Sequence, residues 1–323
     1  MPFRGLPLIA LPLLALPLIA AAGPAPADAP TPRLFAPDVV SGPANDGAPS
    51  FTPDGATLFF EQSNGTWSTI VMSVRVKGAW TRPVLAPFAD QYSSQQPAVS
   101  PDGRYVIFES TRPAPALGAG KKAAHLYRVD RTARGWGQPV ELPPSVNIAR
   151  RVFKPSIAAN GDLYFMADTG GGSGAPAWRL YVARRTAGGY GQATQLPFSD
   201  GTYSDVDPYI APDQRYLIFS SKNRAPFDDN HEHLFIVWRT PGGWSAPTPI
   251  RYAGDGGADD GEANVGTDGR TLYFTSGRSV APAPDRTRSQ ISADLRRMQG
   301  WDNSNANVWT LTIDALRDGS GKA

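Results

Sequence analysis

The sequence predicts an all-β fold, a single β-propeller built from four-stranded blades. The first observation is a sequence motif that occurs five times along the chain. The copies are FTPDGATLFFE from Phe51, VSPDGRYVIFES from Val99, SIAANGDLYFMAD from Ser156, YIAPDQRYLIFSS from Tyr209 and NVGTDGRTLYFTS from Asn264. Each copy has the pattern of a short apolar strand, a tight turn and a second strand rich in aromatic residues. The second observation is the period of about 50 residues, which is typical of propellers and solenoids.

The turn inside each copy has a specific chemistry. In Pro53-Asp54-Gly55 and Pro101-Asp102-Gly103, proline fixes φ, aspartate bonds its own backbone, and glycine adopts the left-handed conformation without steric cost. In the fourth copy Gln214 stands where the others have glycine. We expect Gln214 to adopt the left-handed conformation at a cost of about 1 kcal/mol.

Two more strands complete each unit, so that every blade has strands A, B, C and D. Strand C opens at equivalent positions: Thr69, His125, Arg179 and His233. A ring residue then marks strand D in the same four units: Trp80, Trp136, Tyr190 and Trp244. The fifth unit has candidate strands over residues 262–265, 271–275 and 307–313 but no strand D.

The missing strand is expected near the start of the chain. The segment LFAP from Leu34 resembles WGQP from Trp136. An N-terminal strand at Leu34 would therefore complete the last blade, close the ring and remove its open edges. This arrangement gives five blades, and residues 23–44 leave no room for a diverged extra one.

The repeats TPDGATLFF, SPDGRYVIFES and APDQRYLIFSS resemble the WD-like repeats of TolB-type periplasmic propellers. The resemblance covers about residues 34–316 and implies an exported propeller. Repeats of this kind occur in binding proteins and in propellers attached to peptidases. Many TolB-type propellers have one blade more than the five counted here, so a sixth blade is the alternative.

The chain divides into four predicted segments. Residues 1–22 have the pattern of a signal peptide, because Arg4 precedes an apolar stretch that proline interrupts and that ends in Ala20-Ala21-Ala22. An uncleaved anchor is the alternative. Residues 23–33 form a Pro/Ala linker, residues 34–316 the propeller, and residues 317–323 a flexible tail.

The amino-acid composition argues against several classes of covalent modification and binding partner. The chain has no cysteine, which excludes disulfides and a lipid-bearing cysteine, and its net charge of +2 argues against non-specific nucleic-acid binding. We expect a periplasmic or secreted monomer without a membrane span in its mature form.

The D-to-A and B-to-C connections of a propeller emerge on one face, here called the variable face. The A-to-B and C-to-D turns emerge on the other, here called the turn face. The Pro-Asp-Gly turns are short and alike, whereas the D-to-A and B-to-C connections vary in length and chemistry. Function more often resides in variable loops on a rigid frame, so we expect the site on the variable face.

Two rows of equivalent strand-A residues are candidates for a channel mouth on that face. The first row is Ala48, Gln96, Lys154, Asp207 and Glu262. The second row is Asp46, Ser94, Val152, Asp205 and Asp260. Blade 3 adds Arg150 and Arg151 opposite the carboxylates. These residues predict either a solvated, self-compensating mouth or a binding site for a peptide, glycan or ion.

Two local sequence patterns are candidates for a metal site. His231 and His233 lie in an acidic B-to-C loop, but His233 shares its repeat position with His125, which favours a structural role. Asp255, Asp259 and their neighbours form an oxygen-rich loop without EF-hand spacing. We predict no resident cofactor or metal, with calcium at the acidic loop as the alternative.

The blade-5 B-to-C connection is the longest, and SQISADLRRMQG from Ser289 to Gly300 has helical periodicity. Ile291, Leu295 and Met298 share one stripe, which predicts either a lid packed on the propeller or a docking element. Separately, an arginine follows strand B in three units: Arg112, Arg224 and Arg278. These arginines are expected to clamp loops by bonding carbonyl groups, with recognition of an anionic ligand as the alternative.

Two functions from different classes remain. The first is a non-enzymatic propeller that binds a protein, a peptide or another envelope ligand such as a glycan through the variable face. The alternative is a glycoside hydrolase of the five-bladed propeller type that uses channel carboxylates such as Asp46, Asp207 and Glu262 as acid and base.

Overall fold

The computed structural model describes residues 25, 29–114, 123–170 and 178–313. The predicted signal peptide and C-terminal tail lie outside these residues. The described chain forms a β-propeller of five blades, which confirms the predicted fold class and the blade count.

The strands follow one another in chain order within each blade. The N-terminal strand is β1 (Arg33–Leu34). Blade 1 contains β2 (Asn45–Phe51), β3 (Thr57–Ser63), β4 (Ser68–Val76), β5 (Ala79–Trp80) and β6 (Val84–Leu85). Blade 2 contains β7 (Ser94–Val99), β8 (Tyr105–Ser110), β9 (His125–Thr132), β10 (Gly135–Trp136) and β11 (Val140–Glu141). Blade 3 contains β12 (Val152–Ile157), β13 (Leu163–Asp168), β14 (Trp178–Ala183), β15 (Arg185–Thr186), β16 (Gly189–Tyr190) and β17 (Thr194–Gln195).

Blade 4 contains β18 (Ser204–Ile210), β19 (Tyr216–Lys222), β20 (Glu232–Thr240), β21 (Gly243–Trp244) and β22 (Thr248–Pro249). Blade 5 contains β23 (Asp260–Val265), β24 (Thr271–Ser276) and β25 (Asn307–Thr312), and the chain forms helix α1 (Arg288–Gln299) between its last two strands. All strand pairs inside the blades are antiparallel. Strand D is split in two in blades 1 to 4, and in blades 1, 2 and 4 a proline without a backbone N–H lies in the gap.

The ring closes as the sequence predicts. β1 pairs with β25, with Arg33 opposite Thr310 and Leu34 opposite Trp309, so the N-terminal strand is the outer strand of blade 5. At the centre, the five A strands β2, β7, β12, β18 and β23 each contact the A strands of both neighbouring blades. The A strands therefore surround a central channel.

The hydrophobic core lies at the interfaces between neighbouring blades. Buried apolar residues form a cluster at each of the five blade interfaces. At the interface of blades 1 and 2, for example, Phe88 stacks on Phe108 at 5.3 Å and packs edge-on against Trp136 at 5.4 Å. Because each blade buries its faces only against its neighbours, ring closure is needed to bury the outer faces of blades 1 and 5.

The repeated turns have the predicted geometry. The Asp54 and Asp102 carboxylates each accept a backbone N–H two residues later, at 3.0 Å. Gly55 and Gly103 have φ of 64° and 68°, and Gln214 has φ of 59° at the equivalent position. The prediction for Gln214 is therefore confirmed, and its side chain accepts a hydrogen bond from the Tyr164 hydroxyl at 2.7 Å.

Helix α1 corrects one expectation. It begins one residue before the predicted segment and carries a capping box between Thr287 and Gln290. None of its residues is buried. The helix is therefore not a lid packed on the propeller through its apolar stripe. Among the described residues, no helix is long and apolar enough to span a bilayer.

Candidate functional site

The first row of candidate residues forms one structural feature, a ring of β-bulges around the channel. In every blade the pairing of strands A and B shifts register in the middle of strand A. One residue at each shift has positive φ: Ala48 (48°), Gln96 (53°), Lys154 (45°), Asp207 (55°) and Glu262 (53°). None of these is glycine, so the fold holds five left-handed residues against their backbone preference.

The bulges leave one backbone N–H per blade without a ladder partner, and the preceding blade supplies each acceptor. Asp207 Oδ2 accepts the Glu262 N–H at 3.2 Å. Glu262 Oε2 accepts the Ala48 N–H at 2.8 Å, and Gln96 Oε1 accepts the Lys154 N–H at 2.9 Å. A bulge side chain thus satisfies a buried donor of the next blade, and this contact links neighbouring blades.

Strand B supplies the acceptor where the bulge side chain cannot. Ala48 has no polar atom, so Glu61 in β3 of the same blade accepts the Gln96 N–H at 3.0 Å. The Lys154 ammonium cannot accept a hydrogen bond, and the Met166 sulfur takes its place for the Asp207 N–H at 3.4 Å. The pattern explains why the residue type at the bulge differs between blades.

One contact crosses the axis. The Gln96 side-chain amide donates to Glu262 Oε1 at 2.9 Å. These residues belong to blades 2 and 5, which are not neighbours in a five-bladed ring. Gln96 and Glu262 therefore bridge the channel at the level of the bulges.

The carboxyl groups around the axis have unusual proton affinities. Burial, and then the nearby Glu262, raises the pKa of Glu61 and of Asp207 well above the usual range. Burial also raises the pKa of Glu109 to about 8 and that of Glu232 to about 7. Perturbed carboxyl groups in a cleft are a feature of functional sites, although a structural network produces the same shifts.

The second row is not exposed at a mouth. Asp46, Asp205 and Asp260 have no exposed surface. Asp46 accepts hydrogen bonds from the Gly42 N–H at 2.7 Å and from Gln62 at 2.8 Å. Burial nevertheless raises the pKa of Asp46 to about 6.

The arginines that follow strand B explain this burial. Arg224 binds both oxygens of Asp205 at 2.8 Å, and Arg278 binds Asp260 Oδ2 at 2.7 Å. Arg112 donates to Ser94 and Ser110 at 3.0 and 2.8 Å, and to the Phe88 carbonyl oxygen at 3.2 Å. Arg112 and Arg224 clamp the preceding connection through the Phe88 and Phe198 carbonyl oxygens, as expected, whereas the partners of Arg278 are the Ser276 and Asp260 side chains.

Arg150 and Arg151 lie apart from the axis, at the start of blade 3. Both are exposed. Arg151 forms an ion pair with Asp168 at 3.3 Å and lies over the Trp178 ring at 4.5 Å. The structure therefore brings Gln96, Lys154, Asp207 and Glu262 together and leaves these two arginines outside that group.

The histidine and acidic loops are engaged in local contacts. His233 contacts Asp229 at 2.8 Å and stacks on Phe227 at 3.6 Å, while His125 contacts Glu141 at 2.7 Å. Asp259 accepts the Glu232 N–H at 2.8 Å. No group of three or more His, Cys, Asp or Glu residues in the described ranges has the geometry to hold a metal ion. Calcium at this loop remains a prediction.

Sequence reasoning missed Glu61, Glu109 and Glu232. The first two lie in strand B opposite the residue that precedes the bulge. Each bulge lies in strand A, so the position of Glu61 and Glu109 relative to the bulges follows only from the register of strands A and B. The signal available in the sequence was the two glutamates at the same position of the first two repeats.

No protein-family model matches this sequence, and no curated protein is similar enough to match it. Among solved structures, a family-43 glycoside hydrolase superposes with a TM-score of 0.52 at 12% identity, covering 86% of this chain and 92% of that one. A GH62 hydrolase in complex with xylotriose also gives 0.52 at 10% identity, covering 88% of this chain and 97% of that one.

A structure assigned to TolB from Agrobacterium tumefaciens superposes with a TM-score of 0.47 at 15% identity, covering 76% of this chain and 74% of that one. At these identities the two superpositions at 0.52 show a shared fold and nothing finer. The chain is a five-bladed propeller of the same general architecture as these glycoside hydrolases.

Proposed function

We propose that this chain is an exported, non-enzymatic propeller that binds a protein or peptide of the cell envelope through its variable face. The observation that carries the proposal is the apolar stripe of α1. Ile291, Leu295 and Met298 are 51%, 53% and 60% exposed, at the i, i+4 and i+7 positions of one helix face. This spacing is the pattern of a helix that inserts into the groove of a partner.

A second exposed apolar side chain lies on the same face. Trp67, in the B-to-C connection of blade 1, is 45% exposed. Both Trp67 and α1 lie in B-to-C connections, which emerge on the variable face, and their blades 1 and 5 are neighbours in the ring. Aromatic residues and methionine are enriched in protein interfaces, and a large apolar patch on one face of a soluble domain marks an interaction surface.

The helix is stable without a partner, which favours docking of a preformed element. Arg297 bonds Asp302 at 2.7 Å, and Arg286 bonds Asp294 at 2.7 Å. The capping box fixes the N-terminal turn. Because the helix is already ordered, binding does not have to supply the free energy of folding it.

The channel carboxylates favour binding over hydrolysis. A glycosidase needs an acid and a base that face each other across a gap filled by substrate. Here Asp207 and Glu262 accept backbone N–H groups of the next blade, and Gln96 reaches across the axis to donate to Glu262. Asp46, the third carboxylate of the alternative, is fully buried.

The proposed export rests on the N-terminal sequence. An apolar stretch follows Arg4 and ends in three alanines before Gly23, and the chain has no cysteine. Both features support a periplasmic or secreted location.

The test is a crosslinking pull-down from cell-envelope extract with residues 23–323 as bait. We expect one protein to be captured stoichiometrically, and to be lost when Ile291→Glu and Leu295→Glu are combined. Val140→Glu is the matched control, since Val140 is 64% exposed on the outer strand β11. Equal capture by all three baits, or none by the unaltered one, would contradict the proposal.

Glycoside hydrolysis is the second candidate, favoured by the pKa of about 7 that burial gives Glu232 beside Asp207 and Glu262. A carboxyl group with such a pKa can act as a general acid near neutral pH. Turnover of any member of a broad glycan panel, abolished by Glu262→Gln in a folded protein, would establish this function. Absence of turnover across the panel would exclude it.

A further inference from the structure

The channel continues beyond the bulges as a cavity that opens on the turn face. Its volume is about 560 Å³, and all five blades contribute to its wall. The hydrogen bond between Gln96 and Glu262 crosses the axis at the level of the bulges, where the cavity begins. A cavity of this size falls within the range of small-ligand sites.

The wall is apolar and rigid. Residues that follow the bulges provide three prolines, Pro97, Pro155 and Pro208, and Phe51 and Tyr209 add aromatic surface. Proline and buried aromatic residues lose little conformational entropy when a ligand binds. The cavity is therefore preformed for an apolar group.

Lys154 lies at the inner end of this cavity and is 4% exposed. Its backbone N–H is bonded by Gln96. Among the described residues, its side-chain ammonium makes no hydrogen bond and has no carboxylate within the 4.0 Å of an ion pair. A buried, unpaired ammonium group is costly unless an anion accompanies it.

The neighbouring acids lie beyond ion-pair distance of this ammonium group. Lys154 interacts electrostatically with Glu61 and Asp207 and lowers the pKa of both carboxyl groups, whereas burial, the larger effect, raises it well above the usual range. Glu262 is engaged by the Ala48 N–H, Thr275 and Gln96. At the rim, Asp213 and Arg215 carry opposite charges.

We propose that the turn-face cavity is a second binding site, which takes an apolar ligand bearing one carboxylate, with that carboxylate paired to Lys154. The carboxylate can belong to a small organic acid or to the C-terminus of a peptide, since both present the same chemistry. This site is independent of the helix α1 surface, which lies on the opposite face.

Calorimetric titration tests the proposal with three probes: hexanoate, the free acid N-acetyl-Ala-Leu, and the C-terminal amide of that peptide. We expect at least one acid to bind and the amide to bind about tenfold more weakly or not at all. Binding of hexanoate alone would identify a small acid as the ligand, and binding of the peptide acid alone a peptide C-terminus. Binding of neither acid would overturn the proposal.

Lys154→Met and Lys77→Met are the matched variants, because Lys77 is an exposed lysine that also has positive φ, at 50°. We expect Lys154→Met to weaken acid binding about tenfold and Lys77→Met to leave it unchanged. Without ligand, Lys154→Met should melt at the same temperature as the unaltered protein or higher, because it removes an unpaired buried charge. Unchanged acid binding in Lys154→Met, or a lower melting temperature without ligand, would contradict the assignment.

Should Lys154→Met fail to fold, Lys154→Arg keeps a cation at the position. The arginine variant should bind the acid with a similar preference over the amide. Loss of that preference in a folded Lys154→Arg protein would argue that Lys154 is not the anion partner.

Discussion

At the scale of single residues, the bulges determine what the channel can do. Their side chains accept hydrogen bonds from neighbouring blades, so residue types that look like a ligand site also satisfy buried backbone groups. Gln96 is the central case, because it accepts the Lys154 N–H and donates to Glu262 across the axis. These two contacts account for a glutamine at this bulge where the other blades have different residues, and no ligand is needed to explain it.

Gln96→Leu should lower the free energy of unfolding by about 3 kcal/mol, since it leaves the buried Lys154 N–H without an acceptor and removes a bond to Glu262. Urea denaturation measures the change. Gln138→Leu, at an exposed position before β11, is the control and should shift stability by less than about 0.5 kcal/mol. Equal effects of the two substitutions would show that the channel bridge does not stabilise the fold.

At the scale of the element, the clamp of an arginine on strands A and B recurs in blades 2, 4 and 5. Blade 3 has Val152 and Ala167 at the two strand positions, and blade 1 pairs Asp46 with Gln62 instead. Three blades thus link strands A and B through an arginine side chain, and the other two blades use different contacts at the equivalent positions. The sequence showed the recurring arginines, but their partners became visible only when strand register was known.

Arg224→Met should destabilise the protein by about 3–5 kcal/mol, because it leaves the buried Asp205 carboxylate without its cation. Adding Asp205→Asn should recover part of the loss. Arg104→Met is the comparison: Arg104 and Asp102 form an exposed pair at 3.8 Å, worth less than about 1 kcal/mol. Thermal and urea unfolding would show the clamp to be unimportant if Arg224→Met matched Arg104→Met.

At the scale of the whole molecule, the repeat was sufficient to predict the propeller, its five blades and the closing strand at Leu34, because period, turn chemistry and apolar alternation all agree. The candidate site was less predictable. A bulge shifts side chains from one face to the other, and the sequence carries no direct sign of it except an unusual residue before a proline. For that reason Asp205 was assigned to an exposed mouth. Glu61 and Glu109 were missed because their positions opposite strand A depend on the register of the two strands.

The buried carboxyl groups give the molecule a pH dependence of stability. Glu109 has a pKa of about 8 in the fold against a usual value of 4.5, because burial outweighs the nearby Arg112 cation. Between these values the folded protein holds a proton that the unfolded chain has lost. The stabilisation is therefore complete below pH 4.5 and is lost as the pH rises towards 8. Asp46 acts in the same direction up to about pH 6.

We expect the free energy of unfolding to fall between about pH 5 and pH 8.5, and to fall less in Glu109→Gln, which cannot ionise. Urea denaturation of both proteins across this interval measures the difference. An equal fall in the two proteins would mean that Glu109 does not bind a proton preferentially in the fold.

The central claim is that the molecule acts by docking a partner on helix α1. A photo-crosslinking amino acid placed at Leu295, and at Val140 in a parallel sample, tests it most directly in intact cells. We predict a single crosslinked partner from position 295 and none from position 140. The same products from both positions, or no product from position 295, would contradict the account.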